Sequence, residues 1–226
     1  MPSAAAATAP EEGHPLEAVL AGVTQRCCPT RVNFHCHTVW SDGSLRPTDL
    51  AQQALALGLQ HLAITDHHSL GAYDEAFALL QHASERGQPA PRLWRGVEIS
   101  ALLEGCLVHV LALGFAAHHP SLRPYLQGSS QVGDALRAEV VVSAIHEAGG
   151  LAVLAHPGRY RLPFKTLIAA AAHQGFDGAE TWYDYGMAAV WTPTPVVCEA
   201  IATEVRRCGL LMSCGTDTHG YDLCGR

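Results

Sequence analysis

The stretch His61-Leu62-Ala63-Ile64-Thr65-Asp66-His67-His68 places a short apolar run directly before three ionisable side chains. Apolar runs of this length that end in polar residues are typical of buried strands. The chain repeats the arrangement at five further places, which are Phe34-His35-Cys36-His37 with Ser41-Asp42-Gly43, Gly96-Val97-Glu98-Ile99-Ser100, Val108-His109-Val110, Leu154-Ala155-His156-Pro157-Gly158-Arg159 and Cys214-Gly215-Thr216-Asp217-Thr218-His219-Gly220. In all but Val108-His109-Val110 the polar groups follow the apolar run. The sequence therefore predicts that they gather at one end of a parallel sheet or barrel.

Around these clusters, strand-like runs alternate with helix-like segments. The predicted strands are 31–34, 61–65, 93–99, 107–113, 151–155, 177–182 and 210–213. The predicted helices are 47–57, 72–86, 134–148, 163–174 and 195–208. Glu104-Gly105 separates two apolar runs and predicts a tight hairpin turn. Repeated βα units with one hairpin predict an α/β fold, a distorted seven-stranded (β/α)7 barrel in a single domain over residues 13–226.

Composition limits the classes of function. The chain has 226 residues, a formal charge of −7, and 14 histidines, as many as its lysines and arginines together. An acidic balance argues against a protein that coats long nucleic acids through a basic face. No apolar run reaches the roughly 20 residues that span a membrane. We therefore expect neither a long nucleic acid duplex nor a membrane as partner, while the oligomeric state is not readable from the sequence.

The N-terminus and the cysteines indicate the compartment. Residues 1–12 have no basic region before an apolar core, so we interpret them as a flexible tail and not as a signal peptide. The eight cysteines form no C-x-x-C pair, which favours free thiols in a cytoplasmic protein. Cys36 lies between two histidines, but on a strand it would point to the opposite face, as a buried thiol.

His35 and His37 are spaced i, i+2 at the end of a predicted strand, so both imidazoles project from one face. Neutral imidazole is a common ligand for Zn, Mn and Fe. A pair of partly exposed histidines would explain this motif alone equally well. Six clusters directed towards one site instead favour a metal centre, with Asp66 as a hydrogen-bond acceptor beside a ligand and not as a ligand itself.

The motifs together resemble the PHP (polymerase and histidinol phosphatase) superfamily over residues 31–222. They are HCH with SDG, ITDHH, GVEIS, VHVLALGF, VLAHPGRY and GTDTH. The resemblance implies a distorted seven-stranded barrel with three divalent metal ions. It assigns His35, His37, Glu98 and Asp217 to the first metal. Glu98 would bridge to a second, completed by His109 and His156, and the third would be held by Asp42, His67 and His219.

The resemblance also implies phosphoester hydrolysis. Two divalent cations about 4 Å apart lower the pKa of a shared water and stabilise an in-line displacement. The implied nucleophile is thus a metal-activated hydroxide, with no catalytic side chain beyond the ligands. Imidazole and carboxylate ligands without thiolate indicate Mn, with Zn or Fe as alternatives.

Arg159 and His68 are the expected substrate-binding residues, because both neighbour implied ligands and could contact a phosphate. Tyr160 and Arg161 are weaker candidates for the same contact. The motifs are most similar to those of 3′,5′-nucleoside bisphosphate phosphatases and 5′-to-3′ exoribonucleases. Those relatives carry a helical insertion where this chain has only residues 116–133. We therefore keep three interpretations: hydrolysis of a small nucleotide or short RNA end, a phosphatase for another metabolite such as histidinol phosphate, and a non-catalytic metal-bound module.

Overall fold

The protein, described here from a computed structural model over residues 13–188 and 190–225, is built on a seven-stranded sheet. The expected tail at 1–12 lies outside the described residues. The strands are β1 (Val32–Asn33), β2 (His61–Ile64), β3 (Arg92–Leu103), β4 (Cys106–Leu113), β5 (Leu151–Leu154), β6 (Gly178–Trp182) and β7 (Leu211–Cys214). They are neighbours in chain order. Only β4 runs antiparallel to its neighbours, so the other six strands end on the same side.

The sheet closes on itself where the first strand meets the last. Phe34 N–H donates to the carbonyl of Cys214 at 3.1 Å, and Cys36 forms a parallel bridge with Thr218. The expected α/β barrel of seven strands with one hairpin is confirmed. At the hairpin, Glu104 and Gly105 both have positive φ, 51° and 66°, as a two-residue turn between twisted strands requires.

Six α-helices of the described residues cover the barrel. They are α1 (Pro15–Ala21), α2 (Pro47–Leu57), α3 (Tyr73–Glu85), α4 (Ala138–Glu147), α5 (Phe164–His173) and α6 (Pro195–Arg207). The last five match the predicted helices, except that α4 begins four residues late because Gly133–Leu136 forms a separate 3₁₀ turn. No helix of the residues described is both long and apolar enough to cross a membrane.

Helix α1 was not predicted from the sequence. His14 caps it by accepting a hydrogen bond from the N–H of Leu16, while Glu17 accepts from the N–H of His14. Leu16 and Leu20 pack against the end of the barrel that holds the start of β3 and the end of β4. Helix α1 therefore lies opposite the end at which the six like-directed strands finish.

Among the described residues, buried apolar side chains pack in three clusters that join the barrel to its helices. Cys36 is fully buried and its thiol donates to the carbonyl of Ala63, as expected for a thiol facing away from its neighbouring histidines. All eight cysteines are free. The rigid wall formed by this core fixes the positions of the side chains that leave the strand ends.

Candidate metal centre

Glu98 lies at the centre of the polar end of the barrel and is surrounded by imidazoles. Its Oε2 atom lies 3.0 Å from His35 Nε2 and 3.1 Å from His37 Nε2. Its Oε1 atom lies 2.8 Å from His109 Nδ1 and 3.3 Å from His156 Nε2. The carboxylate thus has two imidazoles on each oxygen, an arrangement suited to a bridge between two cations.

Asp217 completes the innermost group of ligand candidates. Its Oδ1 atom lies 3.2 Å from both His35 Nε2 and His37 Nε2. With Glu98 these residues form a group of four buried side chains. Donors about 2.1 Å from one divalent cation lie roughly 3.0–3.4 Å from each other in octahedral or tetrahedral geometry. The observed spacings match that requirement.

A second group lies nearer the surface. His219 Nε2 is 3.3 Å and His67 Nε2 is 3.7 Å from Asp42 Oδ2. Together with His37 these donors lie within 4.8 Å of one another. Asp42 is 55% exposed, so this end of the cluster is open to solvent while the Glu98 end is not.

Four buried side-chain atoms of the ligand candidates have no hydrogen-bond partner with acceptable geometry among the described residues. They are His37 Nε2, Glu98 Oε1, His109 Nδ1 and His156 Nδ1. Buried polar atoms without partners cost about 1–3 kcal/mol each, so folded proteins keep few of them. Half of those found in the described part of the chain are here. Cations held by these residues would remove most of that cost, so the donor set fits a metal centre.

The electrostatics of the site also favour bound positive charge. Burial opposes ionisation of Glu98, but the neighbouring His35 and His109 outweigh it and hold the pKa of Glu98 well below its usual range. Burial also opposes the charged form of His37, yet the neighbouring carboxylates of Asp217 and Glu98 raise the pKa of His37 to about 9. The buried carboxylates thus stay ionised and attract either protons or cations.

Glu180 is a functional candidate that the sequence analysis missed. It lies fully buried on β6, where both its oxygens are 3.1 Å from His35 Nδ1. Its Oε2 also accepts the backbone N–H of His156 at 2.9 Å. A carboxylate on the outer nitrogen of a ligating histidine fixes the tautomer and the ring orientation. The available signal was an acid inside an otherwise apolar strand.

Asp66 accepts hydrogen bonds, as expected, and lies in none of the groups of metal-ligand candidates. Its Oδ1 accepts from the N–H of Thr38 and the hydroxyl of Ser41, both at 2.7 Å, and its Oδ2 accepts from the Thr38 hydroxyl at 2.6 Å. These bonds fold the loop that leads from His37 to Asp42.

Two of the candidate ligands have backbone conformations that side chains rarely adopt. His156 has φ 25° and Asp217 has φ 51°. Such residues cost about 1–3 kcal/mol each and persist where the surroundings hold them. Here the N–H of His156 is held by Glu180 and the N–H of Asp217 by the carbonyl of His35, at 2.8 Å.

Arg159 reaches the metal centre. Its Nη1 donates to Asp217 Oδ2 at 3.0 Å and to the hydroxyl of Tyr183 at 2.9 Å, and Tyr183 in turn donates to Asp217. The guanidinium also borders a cavity of about 470 Å³. The cavity is lined by Asp42, His67, Glu98, His109, His156, Arg159, Tyr160, Asp217 and His219.

His68 does not line this cavity. Its φ of 52° turns it away from His67, and it is 4% exposed. Its Nδ1 lies 3.1 Å from the carbonyl of Tyr125, and its Nε2 lies 3.2 Å from both the N–H and the hydroxyl of Ser100. Because both ring nitrogens are engaged within the protein, we withdraw the expectation that His68 contacts a phosphate.

The chain is similar to known proteins over most of its length. Residues 33–177 match the PHP domain family. The 5′-3′ exoribonuclease of Haemophilus influenzae is 34% identical over 142 residues, which are 58% of this chain and 50% of that protein. The 3′,5′-nucleoside bisphosphate phosphatase of Chromobacterium violaceum is 34% identical over 118 residues, 52% of this chain and 39% of that protein. The matched stretches thus span half or less of these two relatives.

Solved structures share the fold. An amidohydrolase from Chromobacterium violaceum, with bound sulfate and no metal, superposes with a TM-score of 0.68 at 24% identity, covering 84% of this chain and 88% of that one. A protein from Bifidobacterium adolescentis assigned as a metal-dependent phosphoesterase gives a TM-score of 0.64 at 26% identity, covering 85% and 89%. The family match covers well over half of the chain, and it contains seven of the nine ligand candidates. This chain belongs to the PHP domain family.

Proposed function

We propose that the protein is a metal-dependent phosphoesterase with three divalent metal ions. The observation that carries the proposal is the clustering of eight further ligand candidates around the buried carboxylate of Glu98. The first ion would be held by His35, His37, Glu98 and Asp217, the second by Glu98, His109 and His156, and the third by Asp42, His67 and His219. For imidazole and carboxylate ligands without thiolate we propose Mn²⁺, with Zn²⁺ or Fe²⁺ as alternatives.

Such ions, when bound, supply a water of lowered pKa and neutralise the charge of a transferring phosphoryl group. The chain's own residues orient the reaction. Glu98 fixes the spacing of the ligands, and Glu180 holds the ring of His35. Arg159 points a guanidinium along the cavity wall, where bidentate contact with phosphate oxygens is its favoured geometry.

A small nucleotide or a short 5′ end of RNA is the substrate class we propose. Relatives named for such substrates support it. Trp40 adds support from the rim of the site, in the loop between His37 and Asp42. Its indole packs on Gly71, where a Cβ atom would lie 2.2 Å from the ring, yet it stays 49% exposed. A fixed, half-exposed indole offers a stacking surface for a base.

A hydrolysis panel tests the function. The protein loaded with Mn²⁺ is assayed on 3′-phosphoadenosine 5′-phosphate, short 5′-phosphorylated RNA and histidinol phosphate, and its metal content is measured in parallel. We expect about three Mn²⁺ per chain and turnover of at least one nucleotide substrate.

The panel separates the competing interpretations. Turnover of histidinol phosphate alone would contradict the nucleotide assignment, and bound metal without any turnover would contradict an enzyme. Trp40→Ala should raise the KM for the nucleotide substrate, since stacking on a base contributes about 1–3 kcal/mol. We also propose a reducing compartment such as the cytoplasm, which the eight free cysteines support.

A further inference from the structure

Tyr160 is the one tyrosine on the cavity wall among residues 13–188 and 190–225. It follows the 3₁₀ turn Pro157–Arg159, directly after the guanidinium that borders the same cavity. Its ring lies beside the imidazole of His156, with the ring centroids 5.3 Å apart. The Tyr160 ring is therefore held on one side by His156, a metal-ligand candidate, and on the other side by β4.

The hydroxyl of Tyr160 already accepts one hydrogen bond. The backbone N–H of His109, on β4, donates to it at 2.8 Å. A phenol can donate one hydrogen bond in addition to those it accepts. In the part of the chain that the structure describes, no acceptor for this O–H is found, although the hydroxyl lies in a site rich in carboxylates.

The amide of His109 determines where that proton can point. The His109 N–H takes the side of the oxygen that faces β4, which leaves the O–H to point away from that strand, and Tyr160 lines the cavity. A phenol ordinarily titrates near pH 10, so at neutral pH the group remains a donor. Tyr160 thus presents a neutral hydrogen-bond donor next to the charged donor of Arg159.

A phosphoryl group has several oxygens, and donors in addition to cations stabilise its charge. We propose that Tyr160 donates its O–H to an oxygen of the bound phosphoryl group, as a substrate-binding residue that no comparison assigns. The inference rests on the proposed phosphoesterase function. In this arrangement the backbone N–H of His109 orients the Tyr160 hydroxyl towards the substrate.

Binding of inorganic phosphate tests the inference without turnover. Wild type, Tyr160→Phe and Tyr185→Phe are loaded with Mn²⁺, checked for metal content, and titrated with phosphate by calorimetry. Tyr185 is the matched control, because its hydroxyl also accepts a backbone N–H, that of Gly158 at 3.2 Å, but does not line the cavity. A hydrogen bond to a charged group corresponds to about a 10- to 100-fold change in affinity. We expect that loss in Tyr160→Phe and wild-type affinity in Tyr185→Phe.

Each other outcome overturns the inference. Equal phosphate affinity in wild type and Tyr160→Phe would show that the hydroxyl does not touch the ligand. Loss of Mn²⁺ from Tyr160→Phe, or an equal loss of affinity in both variants, would assign the hydroxyl to holding β4 in place. Because phosphate binding is read directly, a protein inactive in the hydrolysis panel would still report on Tyr160.

Discussion

Single residues decide how the metal centre is held, and neighbours in sequence have separate roles. His67 lines the cavity, whereas His68 points into the protein and forms a hydrogen bond with Ser100. The motifs predicted the ligand candidates because they follow one another along the chain with family-like spacing, all but Glu98 and His109 beyond a strand end. They could not predict the orientation of His68, which depends on a backbone angle. Nor could they single out Glu180, whose two partners, His35 and His156, follow β1 and β5 and are distant in sequence.

Glu180→Gln should weaken Mn²⁺ binding about 10- to 100-fold, the range for residues that orient metal ligands. The amide removes the negative charge beside His35, and it replaces one of the two oxygens that face His35 Nδ1 with an NH2 donor. Titration with Mn²⁺ followed by calorimetry measures the change. Glu199→Gln makes the same chemical change at an exposed position of α6 and should bind as wild type does. Unchanged affinity in Glu180→Gln would show that His35 needs no support from β6.

At the scale of elements, local patterns predicted most helices and strands to within a few residues. Helix α2 matches its prediction of 47–57, since Pro47 begins it and Gly58, with φ 70°, ends it. Strand β3 extends to Leu103, beyond its prediction, because pairing with β4 across the hairpin continues it. Helix α1 was missed because its cap is a histidine, whereas Ser, Thr, Asp and Asn are the usual capping residues.

Helix α1 should contribute stability without affecting the metal centre. Leu16 is fully buried, so Leu16→Ala should lower the free energy of unfolding by about 2–5 kcal/mol. Denaturant unfolding measures this, with Val196→Ala, which is truncated at an 83% exposed position, as the control. Mn²⁺ content should be the same in both variants, because α1 lies at the opposite end of the barrel. A loss of metal from Leu16→Ala alone would contradict that separation.

The whole molecule combines a net charge of −7 with a buried cluster of carboxylates and imidazoles. Three divalent cations would carry six positive charges and cancel most of that excess. With such ions bound, the acidic composition would not argue against a phosphorylated substrate. The sequence could predict this only through the ligand motifs, because a count of charges does not distinguish surface acids from ligands.

Removal of the metal should destabilise the whole fold. Ions bound only to the folded state contribute about 2.7 kcal/mol at a concentration 100 times their Kd, which raises Tm by roughly 5–10 °C in a chain of this size. Scanning calorimetry with Mn²⁺ and with a chelator measures the difference. In Asp217→Asn, which lacks a buried ligand, the shift should be smaller. An identical Tm with and without Mn²⁺ in wild type would contradict a metal centre built into the fold.

The closure of β1 against β7 also sets an order of events during synthesis. His35 and His37 are made early, but Asp217 and His219 follow about 180 residues later, and the hydrogen bond from Asp217 N–H to the His35 carbonyl joins the two ends. A growing chain thus carries its first histidines without the carboxylate that completes their group. Under the proposed ligand assignment, full metal loading would be confined to chains translated past His219, and fragments that end before Asp217 would lack a complete innermost site.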